Sequence, residues 1–133
     1  MKIDEALIAY LKAFAGLTNL VALRIFPEEL PQGTDLPAVT YFTVSDYPIH
    51  TLDGQDELRR PLHQFTALAM TKSQASLVSE QLQLALNDYR GTLSGIVIQK
   101  IELQNKLPNL LTTSDGITKV FVEDLEYEIN YER

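Results

Sequence analysis

The chain of 133 residues contains no cysteine and no tryptophan, and only two histidines. Without cysteine, disulfides, zinc–thiolate centres and thiol nucleophiles are excluded. The absence also fits a reducing compartment. Basic residues are few, with eleven Lys and Arg against eighteen Asp and Glu, for a formal charge of -7. Nucleic-acid binders need a basic stripe to displace counterions from phosphates. The tightest basic pair here is Arg59-Arg60. The balance therefore disfavours nucleic acid as a specific partner. No apolar run approaches the roughly 20 residues that span a bilayer. Acidic Asp4 and Glu5 so near the start argue against a signal or transit peptide, so the expected product is soluble and cytoplasmic.

The chemistry-bearing patterns are missing as well. The glycines make no G-x-x-x-x-G-K-[ST] and no G-x-G-x-x-G, so no phosphate cradle is expected. His50 and His63 belong to no H-E-x-x-H motif, and no calcium-loop pattern occurs, so neither a metal nor another cofactor is expected. Ser94-Gly95 does not form a nucleophile elbow. The carboxylates Glu126 and Glu128 alternate with Leu125, Tyr127 and Ile129, which is the solvent face of a half-buried strand. His63 reads as a core histidine rather than a general base. These absences predict a protein that is not an enzyme.

What is present is enough apolar sequence, 45% of residues, for one domain over residues 1–133 with a core of its own. Ile3, Leu7, Tyr10, Leu11 and Phe14 fall at helical spacing and predict a helix near 3–15. Asp4 and Glu5 complement its N-terminal dipole, and Gly16 is a candidate stop. Leu23 to Phe26 reads as a short strand before Pro27, and Ala38 to Ser45 as a second with alternating faces. Arg59 to Met70 reads as a third, with His63, Phe65, Ala67 and Ala69 on one side. Pro61 near its start implies an edge or an irregular entry. Thr71 and Gln74 make a capping-box pattern ahead of a second helix near 72–90, with Ala75, Val78, Leu82, Ala85, Leu86 and Tyr89 as its buried stripe and Gly91 as its end.

Two further strands follow, Ile96 to Leu107 and Ile117 to Tyr131, joined through a loop from Pro108 to Gly116. The apolar positions of the last strand change phase between Val122 and Leu125. A β-bulge at Glu123-Asp124 would bring them to one side. The fold class is α+β, in the order α-β-β-β-α-β-β, with two helices packed on a largely antiparallel sheet. The expected core combines Ile25, Val39, Tyr41, Phe65, Ile101 and Val120 with Leu7, Leu11, Phe14, Leu82 and Leu86.

Residues 46–57 form the most loop-like stretch, too long for a tight hairpin turn. Loops of that length inside a compact domain are commonly functional. This one mixes apolar Tyr47, Ile49 and Leu52 with His50 and the acidic Asp53, Asp56 and Glu57. That mixture marks these seven residues as a candidate protein-interaction surface, ordered when a partner binds.

Taken in order, several segments resemble the tail-completion, or tail-to-head joining, proteins of long-tailed bacteriophages and prophages. They are Arg24-Ile25-Phe26-Pro27, Leu30-Pro31-Gln32-Gly33, Leu36-Pro37-Ala38-Val39-Thr40-Tyr41 and His50-Thr51-Leu52-Asp53-Gly54. The helix over 71–86, Tyr89-Arg90-Gly91 and Asp115-Gly116-Ile117-Thr118-Lys119-Val120 extend the resemblance over nearly the whole chain. Pro61-Leu62-His63 and Glu123-Asp124 depart from it. The resemblance implies helices on a sheet, a structural role in the virion tail and assembly in the host cytoplasm. It further implies a homo-oligomeric ring, a hexamer, on the tail tube, monomeric when free, that contacts other tail and head-connector proteins. A small ligand-binding module or an enzyme of other chemistry is the alternative, and it would require a formed apolar pocket with converging polar groups.

Overall fold

The computed structural model describes residues 2–28, 31, 33–45, 48–51, 54–112 and 119–132, with 48–51, 54–59 and 109–112 described by backbone alone. Three helices lie on one eight-stranded sheet. Helix α1 spans Ile3–Lys12 and buries Ala6, Leu7, Ile8 and Leu11. The carboxylate of Glu5 accepts from the N-cap amide of Lys2 at 3.2 Å, so the acidic first turn caps the helix as its sequence predicts.

The helix ends earlier than the expected residue 15. Phe14 turns to extended backbone and becomes the N-cap of a third, unpredicted helix, α2, Ala15–Val21. Gly16 therefore sits inside α2 rather than stopping α1. A Cβ there would displace only the flexible end of the Gln81 side chain of α3. Leu17 and Val21 of α2 are fully buried.

Strand β1, Ile25–Pro27, runs parallel to β2, Ala38–Ser45. Strand β3, Pro48–Thr51, pairs antiparallel with β4, Gly54–Arg59. Strand β5, Leu62–Ala69, leads into α3, Lys72–Leu86. The Thr71 hydroxyl accepts from the Gln74 amide at 3.1 Å, which is the predicted N-cap. Helix α3 buries Ala75, Val78, Leu82, Ala85 and Leu86, as its stripe predicts, together with Ser79. It stops at Leu86, short of residue 90. Gly91 instead opens a strand that the sequence reading missed, β6, Gly91–Leu93. Ser94 and Gly95, both at positive φ, make the two-residue turn into β7, Ile96–Thr112. Positive φ at both positions is what a tight hairpin requires. Strand β8, Lys119–Glu132, completes the sheet. The order is thus α-α-β-β-β-β-β-α-β-β-β, and antiparallel pairing dominates, with β1·β2 the parallel pair.

Strand β8 is the hub. Strand β7 pairs along one side of it from Thr112↔Lys119 to Val97↔Glu132. Along the other side β5 pairs from Ala69↔Phe121 to Leu62↔Glu128, and β4 continues the same register at Arg59↔Tyr131 and Leu58↔Glu132. Pro61 lies between β4 and β5. Its carbonyl accepts from the Ile129 amide at 3.0 Å, and its missing N–H interrupts the ladder. Strand β5 is central, so Pro61 does not mark an edge. The entry is irregular as expected, since the β2·β5 register shifts between Thr43 and Ser45.

The helices cover one face. There Tyr41, Phe65 and Leu125 form one cross-strand row and Thr43, His63 and Tyr127 the next. Phe65, Leu125, Tyr127, Ile129 and Ile101 are buried with Val39, Ile25, Leu7, Leu11, Leu82 and Leu86, while Tyr41 and Phe14 pack half-exposed against them. Val120 lies outside this core.

The predicted bulge at Glu123-Asp124 is absent. Glu123 faces Ala67 and Asp124 faces Thr66 in an unbroken ladder. The bulges fall on β7 instead, between Ile98 and Lys100 and between Leu103 and Asn105. Val122 and Leu125 point to opposite faces, and both are buried because the uncovered face carries its own apolar row, Ala38, Leu68 and Val122. Glu123 and Asp124 are each only partly buried. The Asp124 carboxylate accepts from the Thr66 hydroxyl at 2.8 Å, and one Glu123 oxygen lies 3.8 Å from the Lys106 ammonium.

Candidate protein-interaction surface

The stretch expected to be a loop is a ribbon. Strands β3 and β4 pair from Pro48↔Arg59 to Thr51↔Gly54, with a register shift between Pro48 and His50. Strands β2 and β3 run up one side of this hairpin, and β4 and β5 return down the other. Its lower half belongs to the sheet through β5. Its upper half, around Gly54–Glu57, runs past the last β8 pairing, Leu58↔Glu132. The ribbon therefore projects as an arm from one end of the sheet. Of the candidate interaction residues, the backbone places Ile49 and His50 in β3 and Asp56 and Glu57 in β4, with His50 opposite Gln55. Tyr47, Leu52 and Asp53 lie outside the described residues. The length and mixed polarity of this segment were legible; its ribbon form was not, because Pro48 and Gly54 punctuate it as they would a loop.

A second feature went unread in the sequence. Strand β7 is long, and β6 covers its outer side only at Ile96, Val97 and Ile98. Beyond Ile98, among the described residues, no strand pairs with that side. Pro108, opposite Glu123 in the ladder, was the available signal. A proline inside a strand points its missing donor away from the neighbour, so it marks an edge.

The uncovered face of β8 presents Asp124, Glu126 and Glu128, each half-exposed, in line with the solvated-face reading. Glu102 stands directly opposite Glu128 on β7.

On the helix side, a cleft of about 260 Å³ is lined by Lys2, Ile3, Asp4, Thr43, Pro61, His63 and Tyr131. His63 is 2% exposed, and its Nδ1 lies 3.4 Å from the Thr43 hydroxyl. It is a core histidine, as its place on the β5 inner face predicts. Among the described residues no group of His, Asp or Glu is arranged to hold a metal, and no helix is long and apolar enough to cross a membrane. Burial raises the pKa of the Tyr127 phenol well above its usual value. Tyr10 and Tyr41 are raised chiefly for the same reason, with Tyr89 adding to the first and Asp4, Glu5 and Glu28 to the second.

The family model of the tail completion protein gp17 matches residues 5–128. The chain belongs to the tail completion family. It is thus a structural phage-tail protein, as the order of its sequence segments suggests. A chain from the virion of a native gene transfer agent particle has the same fold, with a TM-score of 0.75 at 14% identity, covering 98% of this chain and 95% of that one. No curated protein matches the chain. The match to the tail completion family takes in α2, α3 and the β3–β4 arm, with most of α1 and the first ten residues of the hub strand β8.

Proposed function

We propose that this chain completes a phage or prophage tail by assembling as a ring on the tail tube and joining the tail to the head connector. Its output is binding energy; the chain catalyses no reaction. The observation that carries this reading is the family match over residues 5–128 to a tail completion protein. The gene transfer agent chain, which shares the fold and comes from a virion, supports the same class of role.

Within that role, Tyr47, Ile49, His50, Leu52, Asp53, Asp56 and Glu57 form the contact segment. A ribbon that extends beyond its own sheet has backbone donors and acceptors to offer a partner. The apolar members bury against a neighbouring subunit or the tail tube, and the acidic members set the orientation. The test is in vitro complementation. Tails from a phage lacking this chain are mixed with purified protein and filled heads, and joined particles are counted by negative-stain microscopy. Restoration of joining, with a ring of density at the head-proximal end of the tail, is the expected result. Tails that join heads equally well without the protein would overturn it.

A further inference from the structure

The β3–β4 arm and the outer side of β7 carry complementary deficits. The arm is a two-stranded ribbon, and Gly54–Glu57 has β3 on one side and, among the described residues, no strand on the other. Isolated two-stranded ribbons are marginal in water and are stabilised by a third strand. The outer side of β7 is the converse case. From Gln99 to Leu107 it has no neighbouring strand, between the end of β6 at Ile98 and the donor-less Pro108, but the Asp88 amide already takes the Ile101 carbonyl at 2.9 Å. A single chain cannot match the two, because β8 separates β7 from the β4–β5 side of the sheet.

We propose that the arm of one copy adds as a strand to the Gln99–Leu107 edge of the next copy. This inference rests on the proposed assembly role and supplies its geometry. The two surfaces differ and lie on opposite sides of β8, so the contact is head-to-tail. Repeated contacts of this kind close a ring or run on as a filament. Charge favours the same pairing. In sequence the edge segment has Lys100 and Lys106 against Glu102, whereas the arm has Asp53, Asp56 and Glu57 against Arg59. A net-positive edge thus meets a net-negative arm in a chain that is acidic as a whole. The Asp88 contact leaves the stretch from Glu102 to Leu107, which includes the β7 bulge between Leu103 and Asn105, for the four arm residues Gly54–Glu57. Main-chain hydrogen bonds supply the attachment, as in other strand additions.

The absence of cysteine makes the test direct, because two engineered thiols have no competitors. One variant carries Thr51→Cys in the arm and the other Gln104→Cys on the edge. They are mixed, oxidised both as concentrated purified protein and on complemented tail particles, and the cross-linked peptides are read by mass spectrometry. The expected product is a dimer joining one arm peptide to one edge peptide. A parallel hydrogen-exchange measurement should find amides of 99–107 protected at least tenfold on assembly. If the chain is in the tails but the arm cross-links only to another tail protein, the pairing is overturned while the proposed function stands. If no arm–edge product forms in either sample, the pairing is overturned as well. If the pairing forms in purified protein but tails neither take up the chain nor join heads, the proposed function fails and the pairing survives.

Discussion

The phenol of Tyr127, at the centre of β8, donates to the Asn87 side-chain oxygen at 2.6 Å. Asn87 is the C-cap of α3. The bond therefore ties the end of the longest helix to the middle of the sheet, through a tyrosine that is otherwise surrounded by core. Phe65 meets the same ring edge-on at 6.1 Å. Replacing Tyr127 with Phe keeps the packing and removes the bond. Asn87 is exposed, so water can take the vacated position. The expected loss is about 1 kcal/mol, measured by urea unfolding with an unchanged slope.

The same tyrosine gives an alkaline signature. Its folded-state pKa is raised by burial, with the neutral phenol as the native form. That contribution to stability is fully present below the unfolded-state pKa of about 10 and is lost as pH rises toward the folded value, because the unfolded chain releases the proton first. The melting temperature should hold steady from neutral pH to about pH 9 and fall above about pH 10. Tyr127→Phe should flatten part of that fall. An alkaline limb that is identical in the variant would place the effect on other tyrosines, Tyr10 and Tyr41 first.

Leu82 is fully buried on the sheet-facing side of α3. Leu82→Ala should cost about 2–5 kcal/mol, the transfer term plus a residual cavity. Thermal unfolding that barely moves would mean that α3 can shift to fill the space.

Much of this architecture was legible because alternation and helical periodicity report on one buried face. Ala38–Ser45 was read to the residue for that reason; in the stripe of α3 five positions were read, while Tyr89 lies beyond the helix end and the buried Ser79 was missed. The errors arose where that assumption failed. The phase change before Leu125 is real, but its cause is the apolar row on the second face, buried Ala38 and Val122 with half-buried Leu68 between them, not an extra residue. Gly16 has the composition of a helix stop, yet it lies inside α2, because Phe14 has already ended α1 and opens the next helix. For the candidate surface, the sequence pointed to residues 46–57 through their mixed polarity. The edge of β7 stayed hidden because edge status depends on what lies beside a strand, and Pro108 alone hinted at it.

Glu123 is a local conflict in an otherwise consistent core. It faces Ala67 on the helix-covered side, its side chain is 14% exposed, and its Oε2 is buried with no hydrogen-bond partner. At 3.8 Å, half-exposed Lys106 compensates weakly. Met has similar reach and no charge to desolvate. Glu123→Met should therefore leave stability unchanged or raise it by up to about 1 kcal/mol, read as a melting temperature no lower than the parent's. A clear loss would show that the carboxylate holds Lys106 in a position the fold requires.

Shortening the arm separates its role from that of the fold. Gly54–Glu57 lies beyond the last β8 pairing, so the ribbon tip draws no support from the hub strand. Removing residues 50–55 and closing the gap with a two-residue Asn-Gly turn should change stability by less than about 1 kcal/mol, since loop closure depends only weakly on length. Circular dichroism and the melting temperature should match those of the parent chain. Joining of tails to heads should be lost, because the trimmed arm can no longer reach a neighbour. A trimmed chain that unfolds would mean that the ribbon supports the Pro61 junction, where β4 passes into β5. A trimmed chain that stays folded and still completes tails would move the contact surface to the acidic uncovered face of β8. There Asp124, Glu126 and Glu128 stand in a row, and charge reversal at Glu126 and Glu128 would be the experiment that follows.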